Sequence, residues 1–146
     1  MHHDVAILGS GFGGSIAALI AKQLGMNPIL IEKGTHPRFA IGESSTPQAN
    51  IALANISKKY SLPRLLPLAR YGTWKKTYPH LACGSKRGFT FISHPNINDE
   101  LLVAASPDEF DCDSHWYRAD LDAFLVDEVV RTGIPYIDNT DITISK

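Results

Sequence analysis

The stretch Asp4-Val-Ala-Ile-Leu-Gly-Ser-Gly-Phe-Gly-Gly14 decides the fold. Residues 4–8 form a short apolar run that is rich in Val and Ile and stops at a glycine. This pattern is typical of a strand buried on both faces of a parallel sheet. The glycine-rich residues 9–14 must then form a tight turn. From residue 15 to residue 24 apolar side chains recur every four positions, which predicts a helix, and Gly25 is placed to end it.

A second apolar run, Ile29-Leu-Ile31, follows a turn at Asn27-Pro28. The first 31 residues therefore predict a strand, a helix and a second strand, and a crossover of this kind is right-handed almost without exception. This unit assigns the chain to the α/β class, with a Rossmann-like domain that binds a dinucleotide.

The spacing of the glycines explains how such a turn receives a pyrophosphate. Gly9 permits the tight turn, Gly11 the approach of the phosphates, and Gly14 the close packing of helix on strand. The phosphates then meet unpaired backbone N–H groups and the positive end of the helix dipole. Glu32 ends the second strand eighteen residues after Gly14, where an acid accepts hydrogen bonds from ribose hydroxyls and repels a 2′-phosphate. The alternative is a glycine loop that binds nothing, beside a surface glutamate.

Helical patterns return twice after the loop that follows Glu32. Thr46-Pro47 is typical of a helix N-terminus. Residues 61–68, with two prolines and four leucines, predict a short helical or irregular segment. One apolar face over residues 121–129 predicts another helix, which ends at Gly133. Two short strand candidates follow, at residues 134–137 and 142–144.

From residue 71 the sequence changes to short aromatic and β-branched runs separated by turn residues. Residues 88–93 and 100–104 are the best strand candidates, and antiparallel pairing is expected. We interpret residues 71–115 as a β-rich segment of a substrate-facing layer. It is inserted into an FAD/NAD(P)-binding Rossmann-like part that consists of residues 1–70 and 116–146.

Composition and charge indicate few kinds of partner. The chain has 146 residues, with 14 basic and 15 acidic side chains and a formal net charge of -1, so nothing indicates nucleic acid. Cys83 and Cys112 form no CxxC pair, and reduced thiols in a cytoplasmic protein are expected, with a single disulfide as the alternative. The N-terminal stretch predicts neither a signal peptide nor a membrane span, and His2-His3 predicts no metal site. Three scattered basic pairs are predicted to be solvated surface: Lys58-Lys59, Lys75-Lys76 and Lys86-Arg87.

Two segments of the chain carry a family resemblance. One runs from Ile31 to Pro47 and contains Gly42-Glu-Ser-Ser-Thr-Pro47; the other is Trp116-Tyr-Arg-Ala-Asp-Leu-Asp122. The first resembles the G-E-S-x-x-P segment of the flavin-dependent halogenase family, and the second its arginine followed by an aspartate and a leucine on a helix. Related FAD monooxygenases and geranylgeranyl-reductase-like enzymes are similar too. The resemblance covers nearly the whole chain, as the N-terminal portion of the family. It implies a glutathione-reductase-type FAD-binding fold.

The resemblance implies FAD as the cofactor. A plain NAD dehydrogenase commonly continues with another helix–strand repeat, where this chain has a loop instead. Arg38 and Arg118 match arginines that lie along FAD, with a surface ion pair as the alternative. Glu43 and Ser44 match a loop near the isoalloxazine ring, and a helix-capping turn is also compatible with them. The implied cofactor-binding residues are Gly9, Gly11, Phe12, Gly13, Gly14, Glu32, Lys33, Arg38, Glu43, Ser44 and Arg118.

Halogenases of this family use a lysine between the flavin and the substrate to handle hypohalous acid. Burial can tune the pKa of such an amine. Lys75 and Lys76 lie in about the right part of the chain and are the candidate catalytic residues, with two solvent-exposed lysines as the alternative.

Three functions stay open at this point. The first is an FAD-dependent oxidoreductase that acts on a small organic substrate through reduced flavin and oxygen, with a flavin reductase as partner. The second is a truncated or split, non-catalytic FAD-binding fragment that needs a partner chain for the C-terminal half. It arises because the family's downstream Gly-Asp and W-x-W-x-I-P segments are not in the sequence. The third is an NAD-dependent dehydrogenase domain, against which residues 42–47 argue.

Overall fold

The computed structural model describes residues 2–95, 99–104 and 106–143. The chain forms two compact units: Met1–Ile41 with Arg118–Lys146, and Gly42–Tyr117. In chain order the elements are β1 (Val5–Leu8), α1 (Phe12–Gln23), β2 (Pro28–Ile31), α2 (Pro47–Lys59), a 3-10 helix (Leu66–Ala69), α3 (Tyr71–Thr77), β3 (Cys83–Lys86), β4 (Gly88–Ile92), β5 (Glu100–Ala104), β6 (Asp113–Trp116), α4 (Arg118–Arg131) and β7 (Tyr136–Ile137).

The first unit is built on a parallel sheet of three strands in the order β1-β2-β7. Helix α1 connects β1 to β2 and packs on β2 and on α4. The core lies between these elements, where Leu19, Leu30 and Val129 are at most 1% exposed. Gly25, at φ +82°, follows the end of α1 as expected. The predicted strand–helix–strand order and the α/β class are thereby confirmed.

The second unit contains two antiparallel strand pairs, β3 with β6 and β4 with β5. The strands predicted over residues 88–93 and 100–104 are β4 and β5. Helix α2 begins after Thr46, whose hydroxyl accepts a hydrogen bond from the Ala49 N–H at 3.2 Å, so the predicted N-cap is also confirmed. The core of this unit includes Trp74, which is fully buried, and Leu65 and Leu68, each 1% exposed.

The structure differs from the sequence-based expectation at α3, at β3 with its equally unpredicted partner β6, and at residues 142–144. Helix α3 lies where antiparallel strands were expected, because Trp74 is buried and its indole N–H donates to the Leu81 carbonyl at 3.2 Å. Strand β3 was not predicted, since Cys83-Gly-Ser-Lys86 has little β propensity and pairs through its partner β6. The strand expected over residues 142–144 is not formed at Ile142 and Thr143, and Ile144 lies outside the described residues.

The compact units do not divide where the predicted domains do. The first boundary lies at residue 41 instead of residue 70, because α2 packs against the 3-10 helix of the second unit. Asn50 of α2 also donates to the Asp113 carboxylate of β6 at 2.6 Å. Within the described residues no helix is long and apolar enough to cross a membrane.

Candidate functional site

The glycine turn between β1 and α1 disfavours side chains at two positions, at Gly9 through backbone conformation and at Gly14 through lack of space. Gly9 has φ +98°, a conformation that side chains disfavour, and its N–H donates to the Ile31 carbonyl at 2.8 Å. A Cβ on Gly14 would overlap the carbonyl oxygen of Gly9. The turn therefore holds α1 closely against the carboxyl ends of β1 and β2, as the predicted role of Gly14 requires.

The N-terminus of α1 is suited to an anion. Its N-cap is Gly11, which offers no side chain to the first-turn N–H groups, and the first turn contains no acidic residue. A Cβ on Gly13 would meet nothing within 4 Å, so the backbone there faces open space. Unpaired N–H groups and the helix dipole together favour a phosphate at such an end.

Two guanidinium groups converge on Gly11. A Cβ placed on this glycine would lie 3.5 Å from Nη2 of Arg118 and 3.8 Å from Nη2 of Arg38. It would also lie 3.7 Å from Oδ2 of Asp122, the counterion of Arg118. Gly11 is thus bordered by two guanidinium groups, each of which also pairs with a carboxylate, Arg118 with Asp122 and Arg38 with Glu32.

Arg118 is held rigidly. Its Nε and Nη2 donate to the two carboxylate oxygens of Asp122, each at 2.9 Å, and its Nη1 donates to the Ile41 carbonyl at 2.6 Å. The guanidinium also lies over the Phe12 ring, 4.9 Å from its centroid. The Arg118 side chain is 10% exposed and that of Asp122 is fully buried. Arg118 and Asp122 therefore form a buried ion pair. The alternative considered for Arg118 from the sequence was a surface ion pair.

Glu32 is a buried carboxylate with four hydrogen-bond donors. Its Oε2 accepts from the backbone N–H and the hydroxyl of Ser10, at 2.7 and 2.9 Å, and from Nη2 of Arg38 at 3.3 Å. Its Oε1 accepts from the N–H of Gly34 at 3.0 Å. Burial alone would raise the pKa of Glu32. The hydrogen bonds and the positive charge of Arg38 outweigh it and lower this pKa to about 2.

Ser10 and His36 join this cluster although the sequence did not suggest them. The Ser10 hydroxyl is fully buried, and Nε2 of His36 lies 2.7 Å from it. Because that hydroxyl donates to Glu32, Nε2 of His36 carries the proton and donates to it. Burial and then Arg38 lower the pKa of His36, which favours this neutral form. Their positions, inside the glycine turn and two residues before Arg38, were the only indication that the sequence offered.

The predicted binding residues are not all brought together. In the first unit Gly9, Gly11, Phe12, Gly13, Gly14, Glu32, Arg38 and Arg118 lie around the start of α1 or the end of β2. Lys33 does not join them, since its side chain is 79% exposed and its Nζ lies 3.5 Å from the Asp141 carboxylate.

Glu43 and Ser44 belong to the second unit. The Glu43 carbonyl accepts a hydrogen bond from the Trp116 N–H, and Ser44 forms an isolated β-bridge with His115. An open groove of about 480 Å³ is lined there by Glu43, Cys83, His115 and Trp116, among others. The predicted loop thus borders a concave surface of its own unit.

The second unit also contains a buried lysine, which is Lys86. It is 7% exposed, and its Nζ donates to the Ser44 hydroxyl at 2.7 Å and to the Ser45 carbonyl. The ammonium also lies 4.0 Å from the centroid of the Phe89 ring. The expectation that Lys86 is solvated surface is wrong, because β3 turns its last residue into the unit. The local spacing of apolar and polar residues in the sequence gave no sign that Lys86 is buried.

Asp113 lies opposite Lys86 in the β3–β6 register. Burial raises the pKa of Asp113, although the charge of Lys86 and the hydrogen bond from Asn50 act to lower it. Lys75 and Lys76, the predicted catalytic lysines, lie on α3, where Lys75 is half-buried and Lys76 is exposed. Lys86 is thus the lysine that contacts the predicted cofactor loop through Ser44.

Known proteins resemble the chain in sequence. It is 33% identical over 150 residues to the monodechloroaminopyrrolnitrin halogenase PrnC of Pseudomonas fluorescens, covering 97% of this chain and 26% of that protein. It is 30% identical over 138 residues to the tetracycline 7-halogenase of Kitasatospora aureofaciens, covering 90% of this chain and 24% of that protein. Over nearly its whole length this chain resembles flavin-dependent halogenases. The chain spans about a quarter of the length of these two halogenases. No family model matches it.

Solved halogenase structures share its fold. The halogenase PltM in complex with phloroglucinol and FAD aligns with a TM-score of 0.84 at 26% identity, over 98% of this chain and 29% of that one. The flavin-dependent halogenase CmlS aligns with a TM-score of 0.70 at 25% identity, over 99% of this chain and 24% of that one. The resemblance to halogenases that the sequence indicated is thereby confirmed.

Proposed function

We propose that the chain is the FAD-binding portion of a flavin-dependent halogenase. The observation that carries this proposal is the arrangement around Gly11. It combines an uncapped helix N-terminus, two guanidinium groups and, at the end of the neighbouring strand, an ionised glutamate. Relatives of the chain are halogenases, and one similar structure contains FAD.

The residues fit the ADP portion of FAD. The pyrophosphate would lie at the start of α1, where Gly11 leaves space and Arg38 and Arg118 supply positive charge. Glu32 would accept hydrogen bonds from the adenosine ribose. Because the pKa of Glu32 is about 2, the residue is an anion at neutral pH and would repel a 2′-phosphate. This favours FAD over a 2′-phosphorylated dinucleotide.

When bound, FAD would supply the oxidising chemistry, from its reduced form and oxygen. We propose Lys86, in preference to Lys75 and Lys76, as the lysine that handles the oxidised halogen. Its support is burial together with its hydrogen bond to Ser44, a residue of the G-E-S-x-x-P segment. A buried ammonium can orient an oxidant by donating a hydrogen bond, and water competes little with it there.

The partners of this proposed enzyme are a small organic substrate and a flavin reductase that supplies reduced flavin. A cytoplasmic location is proposed as well. Its support is that Cys83 and Cys112 are both free thiols, as a reducing compartment would leave them.

FAD binding is the first experimental test. Titration of FAD with the protein should quench the flavin fluorescence, and Gly14→Ala should abolish the quenching. Arg131→Met serves as a control, because this side chain is 64% exposed near the end of α4. If the wild-type protein leaves the fluorescence unchanged, the proposed function is wrong. Binding of NAD in place of FAD would favour the dehydrogenase alternative.

The role of Lys86 requires a second measurement. With a flavin reductase, halide and an activated aromatic acceptor, the halogenase of which this chain is the proposed portion should give a halogenated product detectable by mass spectrometry. Lys86→Met should bind FAD normally and lose the product, whereas Lys76→Met should keep it. Oxygenated product that does not depend on halide would instead indicate a monooxygenase.

A further inference from the structure

Arg38 borders two parts of the proposed dinucleotide site. Its Nη2 donates to Oε2 of Glu32, the residue proposed to bind the ribose. The same Nη2 lies 3.8 Å from the place of a Cβ on Gly11, the residue proposed to receive the pyrophosphate. A single guanidinium group is thus within a short movement of both subsites.

Glu32 has little capacity left for a ribose. A carboxylate has about four acceptor sites, two on each oxygen. Oε2 of Glu32 already accepts from three donors, and Oε1 accepts from one. A ribose with free 2′- and 3′-hydroxyls would bring two more donors. Oε1 can accept one hydroxyl as it stands, but the other hydroxyl must take the place of a present donor on Oε2. The present donors are Ser10 N, Ser10 Oγ, Gly34 N and Arg38 Nη2.

Arg38 is the donor that can leave most easily. Ser10 is fully buried within the glycine turn, and the Gly34 donor is a backbone N–H two residues from Glu32. The Arg38 bond is the longest of the four, at 3.3 Å, and the Arg38 side chain is 31% exposed. Within the described residues Nε of Arg38 is buried and makes no hydrogen bond, so the group is incompletely satisfied where it lies.

Arg118 differs from Arg38 in every one of these respects. It is 10% exposed and binds Asp122 through two hydrogen bonds and the Ile41 carbonyl through a third. Near Gly11, therefore, one arginine is fixed and the other is held by a single long bond.

We propose that Arg38 exchanges partners, leaving Glu32 for the diphosphate when an adenine dinucleotide binds, and thereby opens Glu32 to the ribose. This inference rests on the proposed function and makes Arg38 a positioning residue for it. Recognition of the phosphates and of the ribose then becomes cooperative, because the phosphates draw Arg38 away from the carboxylate of Glu32. A nucleoside without phosphates must displace Arg38 without that help.

The test compares ADP with adenosine on the wild-type protein and on Arg38→Met, by calorimetry for ADP and by NMR titration for adenosine. Arg38→Met should bind ADP about tenfold less tightly, because a charge-assisted hydrogen bond to phosphate is lost. It should bind adenosine more tightly, by up to about fivefold, because a partly exposed ion pair is weak and its removal uncovers Glu32. A purely structural role of Arg38 would instead weaken both ligands.

Two further variants make the test specific. Arg131→Met removes an exposed arginine of the same unit and should change neither affinity. Arg38→Gln removes the charge but keeps a polar side chain. If Arg38→Met does not fold, Arg38→Gln should show the same two changes, weaker binding of ADP and tighter binding of adenosine. Equal weakening of both ligands, or no tightening of adenosine, overturns the partner exchange and leaves the proposed function standing. A wild-type protein that binds neither ligand overturns the proposed function as well.

Discussion

The carboxylate of Asp122 binds the guanidinium of Arg118, one turn earlier in α4, through two hydrogen bonds of 2.9 Å. Both side chains are buried, and the pair lies beside Gly11 at the start of α1. Loss of one partner would leave an uncompensated charge inside the first unit. The pair therefore serves stability as well as the electrostatics of the proposed phosphate site.

Asp122→Asn should lower the free energy of unfolding by about 3 kcal/mol, the cost of leaving one member of a buried ion pair without its partner. Denaturant unfolding followed by circular dichroism measures this change. Asp127→Asn on the exposed side of α4 is the matched control and should stay within about 0.5 kcal/mol of wild type. Similar values for both variants would show that the pair contributes nothing measurable.

Gly13 and Gly14 are neighbours that should respond oppositely to the same substitution. Gly14→Ala forces a Cβ into the Gly9 carbonyl and must displace α1, so it should unfold the first unit or sharply lower its melting temperature. Gly13→Ala has open space and lies inside a helix, where alanine is favoured over glycine by about 1 kcal/mol. Thermal unfolding of both variants tests the close packing; a tolerated Gly14→Ala would contradict it.

The sequence was sufficient to predict what depends on local pattern. The run over residues 4–31 predicts β1, α1 and β2, because strand period, glycine spacing and helix period follow one another without interruption. Glu32 could be placed from its position at the end of β2. The hydrogen-bond network around Glu32 could not be predicted fully, because Ser10 and His36 belong to no recognisable motif.

What depends on tertiary pairing could not be predicted. Lys86 ends a strand of weak β propensity, and only the pairing of β3 with β6 buries it against Ser44. Helix α3 forms around the buried Trp74, although its sequence has no helical period long enough to detect. Long-range contacts decide both cases, and a single sequence does not display them.

Glu32 should make the stability of the first unit depend on acid pH. Its pKa is about 2 in the folded protein against 4.5 as the reference value. A lowered pKa of an acid adds stability that is present above pH 4.5 and is lost as the pH falls toward 2. The shift corresponds to about 3 kcal/mol. The difference in unfolding free energy between wild type and Glu32→Gln should therefore shrink across this interval; a constant difference would contradict the assignment.

Asp113 should show the opposite sign. Burial raises its pKa above 3.8, so the folded protein binds this proton more tightly than the unfolded chain does. The contribution of Asp113 to stability should therefore decrease as the pH rises from 3.8 through the raised pKa. Asp113→Asn should remove this part of the pH dependence, and it keeps an oxygen that can accept from Asn50. Unfolding profiles of both proteins over this range provide the measurement.

The burial of Lys86 predicts a low reactivity of its amine. In the folded protein Lys86 should be acetylated severalfold more slowly than Lys76, because its Nζ is enclosed by Ser44, Ser45 and Phe89. Peptide mass spectrometry after brief treatment with acetic anhydride gives both rates in one sample. Ser44→Ala should raise the rate at Lys86 and leave that at Lys76 unchanged, since α3 does not contain Ser44. Equal rates at the two lysines in the wild-type protein would show that Lys86 is open to solvent, and its proposed role with an enclosed oxidant would then fail.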